Sequence, residues 1–267
     1  RIEQNRAPEQ HTRNAGPMTT DNQPSDTYSA TLARSAAIEE ELKVTPEKFR
    51  VLTGDRPTGI MAYASGDLAH WQRPRLVFAL PQGSWADDGG WAPEVHRWKG
   101  RWYLFATFHN EKAALPAKSK RPLYRRATLL AVADRIEGPY ALVHKGEPPT
   151  PVDAMTLDGT LHIDAAGKPW MVYAHEWLQQ GVGTMEALPL KDDLSPAGKP
   201  RILFRADAAD WVVGQKQPEG DTGYVTDGPE LLRTKDGALL MLWSSWGRHG
   251  YVQAQARSES GTLAGPW

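Results

Sequence analysis

Apolar residues in this chain gather in short runs separated by glycine-bearing turns, and the runs return with a long period. Three of them set it: Trp102-Tyr103-Leu104-Phe105, Trp170-Met171-Val172-Tyr173 and Leu239-Leu240-Met241-Leu242. Their centres lie about 69 positions apart, and each follows a turn carrying Gly100, Gly167 or Gly237. A nearly continuous apolar run of this length predicts a strand buried on both faces. Around the middle run the unit is most legible. Leu157–Ile163 reads as a strand, Ala165–Lys168 as a turn in which Gly167 can take a positive φ, and Pro169–Tyr173 as the partner strand.

A second half follows each hairpin: a strand of small residues, then a polar turn that often ends in Gly-Pro-aromatic. The copies are Ile60–Trp71, Leu129–Tyr140, Met185–Gly198 and Val252–Trp267. Further apolar strands are expected at Arg75–Phe78, Tyr140–His144 and Arg201–Phe204. About four strands per repeat and about four repeats, with no long helix between them, predict an all-β chain of β-propeller blades. A linear solenoid has shorter repeats without four strands and fits less well. The fourth copy stops at Trp267, where an outer strand is expected, so the ring is expected to be incomplete. Residues 1–30 are polar and aperiodic and read as a loosely attached tail ahead of a propeller domain over 31–267. Ala30–Glu47 has helix-favouring composition, although Pro46 argues against a helix through that point.

Composition narrows the function classes. In 267 residues there are 11 Trp against 8 Tyr and 5 Phe, which hints at flat aromatic platforms of the kind that bind sugars, although core packing explains any single one equally well. The net charge of −1 gives no electrostatic footprint for nucleic acid or an anionic membrane, and no apolar run approaches a membrane span. Cys is absent, which removes disulfides and thiolate chemistry but leaves the compartment open. The chain begins at Arg1 with no signal peptide in view. There is no Gly-x-Ser-x-Gly elbow, P-loop, His-Glu-x-x-His or dinucleotide fingerprint, and the histidines have no metal-ligand spacing.

Candidate site residues come from the strand starts. Asp158 and Asp227 each precede a glycine, a common turn pair, yet they stand at matched positions of two repeats. Trp91 is a candidate stacking face, and Glu94 is either a surface carboxylate or part of a cleft lining. His175-Glu176-Trp177 ends an apolar strand; a satisfied buried histidine is the plain reading, with sugar contacts the sharper one. Trp102 and Trp170 read as core, and His249 as a turn residue.

Three stretches carry a resemblance: WAPEVHRWKGRWYLFAT (Trp91–Thr107), LDGTLHIDAAGKPWMVYAHEW (Leu157–Trp177) and VTDGPELLRTKDGALLMLWSS (Val225–Ser245). Together they resemble glycoside hydrolase family 43, over roughly Phe49 to Trp267. The resemblance implies a five-bladed propeller acting on arabinofuranosyl- or xylosyl-containing glycans by an inverting acid/base mechanism. It places Asp158 on the carboxylate that tunes the acid and Asp227 on the general acid, which is more often Glu in that motif. Asp is shorter by about an ångström, and Glu176 or Glu230 could substitute. The base position falls on Ser35 within Arg34-Ser35-Ala36-Ala37-Ile38, and the nearest carboxylate is Asp55. Such a base leaves open a propeller that binds carbohydrate without turnover, and a protein-interaction propeller is a third reading. The resemblance implies a polysaccharide or oligosaccharide partner, a secreted or periplasmic location and no required cofactor, with room for a calcium ion in the central channel. Oligomeric state is not legible.

Overall fold

The computed structural model describes residues 58–116 and 121–267. The expected tail, the ambiguous Ala30–Glu47 segment, Ser35 and Asp55 lie outside these residues. Tyr63–Arg75 falls in one compact unit and residues 58–62 and 76–267 in another. Within the first, Ser65 bridges Trp71, and the Asp67 carboxylate accepts hydrogen bonds from the N–H groups of Ala69 and His70. Everything below concerns the second.

Its sheets are antiparallel meanders in chain order. β1 (Gly59–Ala62) pairs with β2 (Arg75–Ala79). A four-stranded blade follows, formed by β3 (Asp88–Trp98), β4 (Arg101–Ala114), β5 (Tyr124–Ala133) and β6 (Ala141–Leu142). The next has β7 (Thr156–Ile163), β8 (Pro169–His175), β9 (Thr184–Pro189) and β10 (Arg201–Arg205), with a single helical turn, α1 (Trp177–Gln180), after β8. A small hairpin, β11 (Gln215–Lys216) and β12 (Thr222–Gly223), leads to a three-stranded blade of β13 (Asp227–Arg233), β14 (Leu239–Gly247) and β15 (Gly250–Ser258). These are propeller blades, and among the described residues the ring is not closed.

The apolar runs behave as their pattern requires. On β8, Met171 and Tyr173 pack toward β4 and β5 with Tyr103, Phe105 and Leu130, whereas Val172 and Ala174 pack toward β14 with Leu239, Met241 and Trp243. Alternate residues of β4 do the same: Leu104, Ala106 and Phe108 join a cluster with Ile60, Val77 and Phe78 from β1 and β2. A strand with a blade on each side must be apolar at every position, which is why alternation is missing from the sequence. Trp102 and Trp170 are partly buried against these clusters, and His249 lies in the turn between β14 and β15.

Candidate active site

The site is built where the first strands of three blades break register at the same place. The ladder slips between Trp91 and Glu94 in β3, between Leu157 and Thr160 in β7, and between Asp227 and Glu230 in β13. Each slip holds a residue with a left-handed backbone: Ala92 at φ 43°, Asp158 at 53° and Gly228 at 55°. A bulge adds a residue to one strand, bends it and re-aims its side chains. Ala92 and Asp158 take a conformation that ordinary residues avoid, so the surrounding structure must hold them there.

For Asp158 that support comes from the neighbouring blade. Its N–H donates to Thr107 Oγ1 at 2.9 Å, and the N–H of Gly159 donates to Thr128 Oγ1 at 2.9 Å. Thr107 and Thr128 face each other across β4 and β5 and are fully buried. Position 159 favours glycine, because a Cβ there would stand 2.6 Å from Met171 Cε and 2.9 Å from Thr128 Oγ1 and displace those side chains.

The two aspartates meet through Gly228, whose N–H donates to Asp158 Oδ2 at 2.9 Å and lies next in the chain to Asp227. They are not at matched positions, as the repeat suggests. By register Asp227 corresponds to Leu157, and Asp158 to Gly228, so the two aspartates stand one position out of step in the like bulges of two blades. The reason is steric: the glycine of each Asp-Gly pair serves a different purpose, a close approach at Gly159 and a positive φ at Gly228.

Burial, then the charge of Asp227, pushes Asp158 up to about 7; the Gly228 N–H opposes this, while Glu176 and Glu94 add to it. Burial also raises Asp227, against the Tyr251 hydroxyl that donates to its carboxylate and the positive charge of Arg126. Both carboxyls are raised, Asp158 in part by the charge of Asp227, so the site retains a proton toward neutral pH. That is the condition under which one of them can act as an acid.

Behind the pair, Arg126 forms an ion pair with Glu176 and donates to the Tyr124 hydroxyl. Both Arg126 and Glu176 are only 6% exposed. Burial pushes Glu176 up to about 7, opposed by Arg126 and supported by Asp227. Trp91 is 43% exposed, with the Arg126 guanidinium 4.6 Å from its ring centroid and His109 at 4.8 Å. Its cross-strand partner is Thr107, the residue that holds Asp158. Glu94 is half-buried and bonded to His96 Nε2 at 2.9 Å.

Other sequence candidates go elsewhere. His175 is the satisfied histidine of the plain reading: Nδ1 meets Glu186 at 2.9 Å and Nε2 meets Gln179 at 2.8 Å, which leaves neither nitrogen for a sugar. Burial works against its charge, but Glu186 wins and raises His175 above the usual range. The Trp177 ring lies under the Arg121 guanidinium at 4.7 Å and against Gly223, where a Cβ would stand 2.2 Å from it. It is taken up by protein contacts rather than presented as a platform. Glu230 is exposed. Among the described residues no group of three or more His, Asp or Glu is placed to hold a metal ion.

The family model for Glycosyl hydrolases family 43 matches residues 40–267. The chain belongs to glycosyl hydrolases family 43. Among solved structures it is similar to an endo-arabinase from Bacteroides thetaiotaomicron, at 38% identity and a TM-score of 0.70, covering 78% of this chain and 70% of that one. A thermostable family-43 glycoside hydrolase matches at 19% identity and a TM-score of 0.62, over 79% of this chain and 64% of its own. An endo-1,4-beta-xylanase from Bacteroides thetaiotaomicron matches at 23% and 0.56, over 79% and 63%. The last two share the fold, and this chain spans less than two thirds of their length. Comparison with curated proteins finds no match.

Within this family-43 chain, the residues that sequence reasoning passes over are Arg126, Tyr251, Thr107 and Thr128. Arg125-Arg126 stands at the start of an apolar strand, a pattern that usually marks a solvated edge. Only the fold reveals that the second arginine turns inward.

Proposed function

We propose that this chain hydrolyses arabinofuranosyl linkages in arabinan-type polysaccharides with inversion at the anomeric carbon. Asp227 donates the proton to the leaving oxygen, and Asp158 beside it keeps that proton available near neutral pH. The observation that carries this is the hydrogen bond from Gly228 N–H to Asp158 Oδ2, which sets two half-buried aspartates of different blades side by side. The similarity to an endo-arabinase at 38% identity supports the choice of arabinan over xylan. Trp91, exposed on the strand that flanks Asp158, supplies an apolar face suited to a sugar ring.

In the reaction, protonation of the glycosidic oxygen accompanies attack by water from the opposite side of the sugar, and the water gives up its proton to a carboxylate base on that side as the glycosidic bond breaks. A carboxylic acid held protonated by burial can donate at neutral pH, where an exposed one has already ionised. A polymer substrate fits a secreted or periplasmic site of action.

The test is incubation with linear arabinan, linear xylan and their oligosaccharides, followed by proton NMR of the first-formed product. The expected outcome is arabino-oligosaccharide release with the anomeric configuration inverted. Release with retention would sink the mechanism, and hydrolysis of xylan alone would sink the substrate. Binding of arabino-oligosaccharides without turnover would favour a carbohydrate-binding propeller instead.

A further inference from the structure

The Arg126 guanidinium occupies a crowded place. It reaches Glu176 through one terminal nitrogen and Tyr124 through the other, and it lies 4.6 Å from the Trp91 ring centroid and 5.0 Å from that of Tyr124. Its Nε–H is buried with no hydrogen-bond partner. The position of the group is set by its partners: Glu176 from the end of β8, Tyr124 from its own strand, and the indole of Trp91 from β3.

Trp91 needs such a partner. It follows a bulged stretch in which Gly89 and Gly90 have φ of 117° and 85°, and it precedes Ala92 at φ 43°. An indole on backbone this irregular, and 43% exposed, is held by what lies against it: the His109 ring at 4.8 Å and the Arg126 guanidinium at 4.6 Å. Arginine is suited to this because its planar guanidinium stacks on aromatic faces and forms a fixed fork with carboxylates, whereas a lysine ammonium can lie over a ring but has neither a planar face nor a fork.

We propose that Arg126 is a positioning residue for sugar binding: locked by Glu176 and Tyr124, it holds the Trp91 indole as a fixed stacking face for a pentose ring beside Asp158 and Asp227. The proposal rests on the glycoside-hydrolase reading above and adds a residue that acts through Trp91 rather than on the reacting atoms.

The experiment is steady-state hydrolysis of linear arabinopentaose by the full chain, with Arg126→Lys, Trp91→Ala and the double variant, each checked by thermal melting. Arg126→Lys keeps the charge and loses the planar stack. It is expected to raise KM about tenfold, with the loss in kcat/KM carried by KM. Trp91→Ala is expected to raise KM at least as far, and the double variant no further than Trp91→Ala, because the arginine has nothing left to position. An unchanged KM in Arg126→Lys overturns the proposal, and so do single effects that multiply in the double variant. A fall in kcat and melting temperature at constant KM also overturns it, since that is what a purely structural ion pair gives. Should Arg126→Lys not fold, Glu176→Gln slackens the same fork; a threefold or larger rise in KM is expected, and no rise overturns the proposal. Turnover by the native protein with equal KM in the variants removes this inference alone, whereas no turnover or binding of any arabino- or xylo-oligosaccharide by the native protein removes the hydrolase reading with it.

Discussion

Asp158 is a residue that stability alone would not choose. It takes a left-handed backbone at φ 53°, is half-buried, and faces a second carboxylate. Its carboxyl is raised from 3.8 to about 7, so the folded protein binds a proton more tightly than the unfolded chain does. The sign follows from linkage: below about pH 4 both states are protonated and no penalty exists. Above about pH 7 both are ionised, and the fold carries the full cost of the buried charge. Asp158→Asn, which still accepts from Gly228, is therefore expected to stabilise the protein at pH 8 by on the order of 2 kcal/mol in urea unfolding, with the gain fading toward pH 4. A gain that grows as pH falls would contradict the assigned environment. Glu176, raised to about 7 by the same burial, acts in the same direction. Asp158 and Asp227 were legible in the sequence because each stands before a glycine at a repeat start, but their offset by one position was not, since it depends on which bulge residue takes the positive φ. Arg126 was invisible for a related reason: a charge at a strand start reads as solvated until a neighbouring blade covers it.

At the scale of elements, the bulge is the working unit. β3, β7 and β13 break register at the same place, and Trp91, Glu94, Asp158 and Asp227 sit within those breaks or at their edges. The middle bulge depends on hydrogen bonds from Asp158 and Gly159 to two buried threonines of the neighbouring blade. Gly159→Ala puts a methyl against Thr128 and Met171, and overpacking of this kind costs about 1–3 kcal/mol. The expected result is that loss in urea unfolding, together with a fall in turnover larger than any change in the folded fraction explains, because Asp158 moves with the bulge. Unchanged stability and turnover would mean that the bulge has slack the geometry does not show. The strands themselves were readable: the expected Pro169–Tyr173 is Pro169–His175, and Leu157–Ile163 is Thr156–Ile163. The short helical turn α1 and the β11–β12 hairpin were not, because four-residue and two-residue elements leave no periodic signal.

For the molecule as a whole, the repeat of about 69 positions is what made the propeller legible, since each apolar run fills the space between two blades. The chemistry is a property of that arrangement. Asp158 belongs to the blade of β7–β10 and Asp227 to the blade of β13–β15, and no local segment contains both. Sequence motifs could nominate the two residues, but only the packing of β7 against β13 makes them neighbours. The measurement that tests this most directly is kcat/KM on a linear arabino-oligosaccharide for Asp158→Asn, Asp227→Asn and the double variant. If the pair works as one unit, each single change lowers kcat/KM by about 10²–10⁴-fold and the double is little worse than the poorer single. Single losses that multiply in the double variant, or native turnover in either single, would mean the two aspartates do not act together.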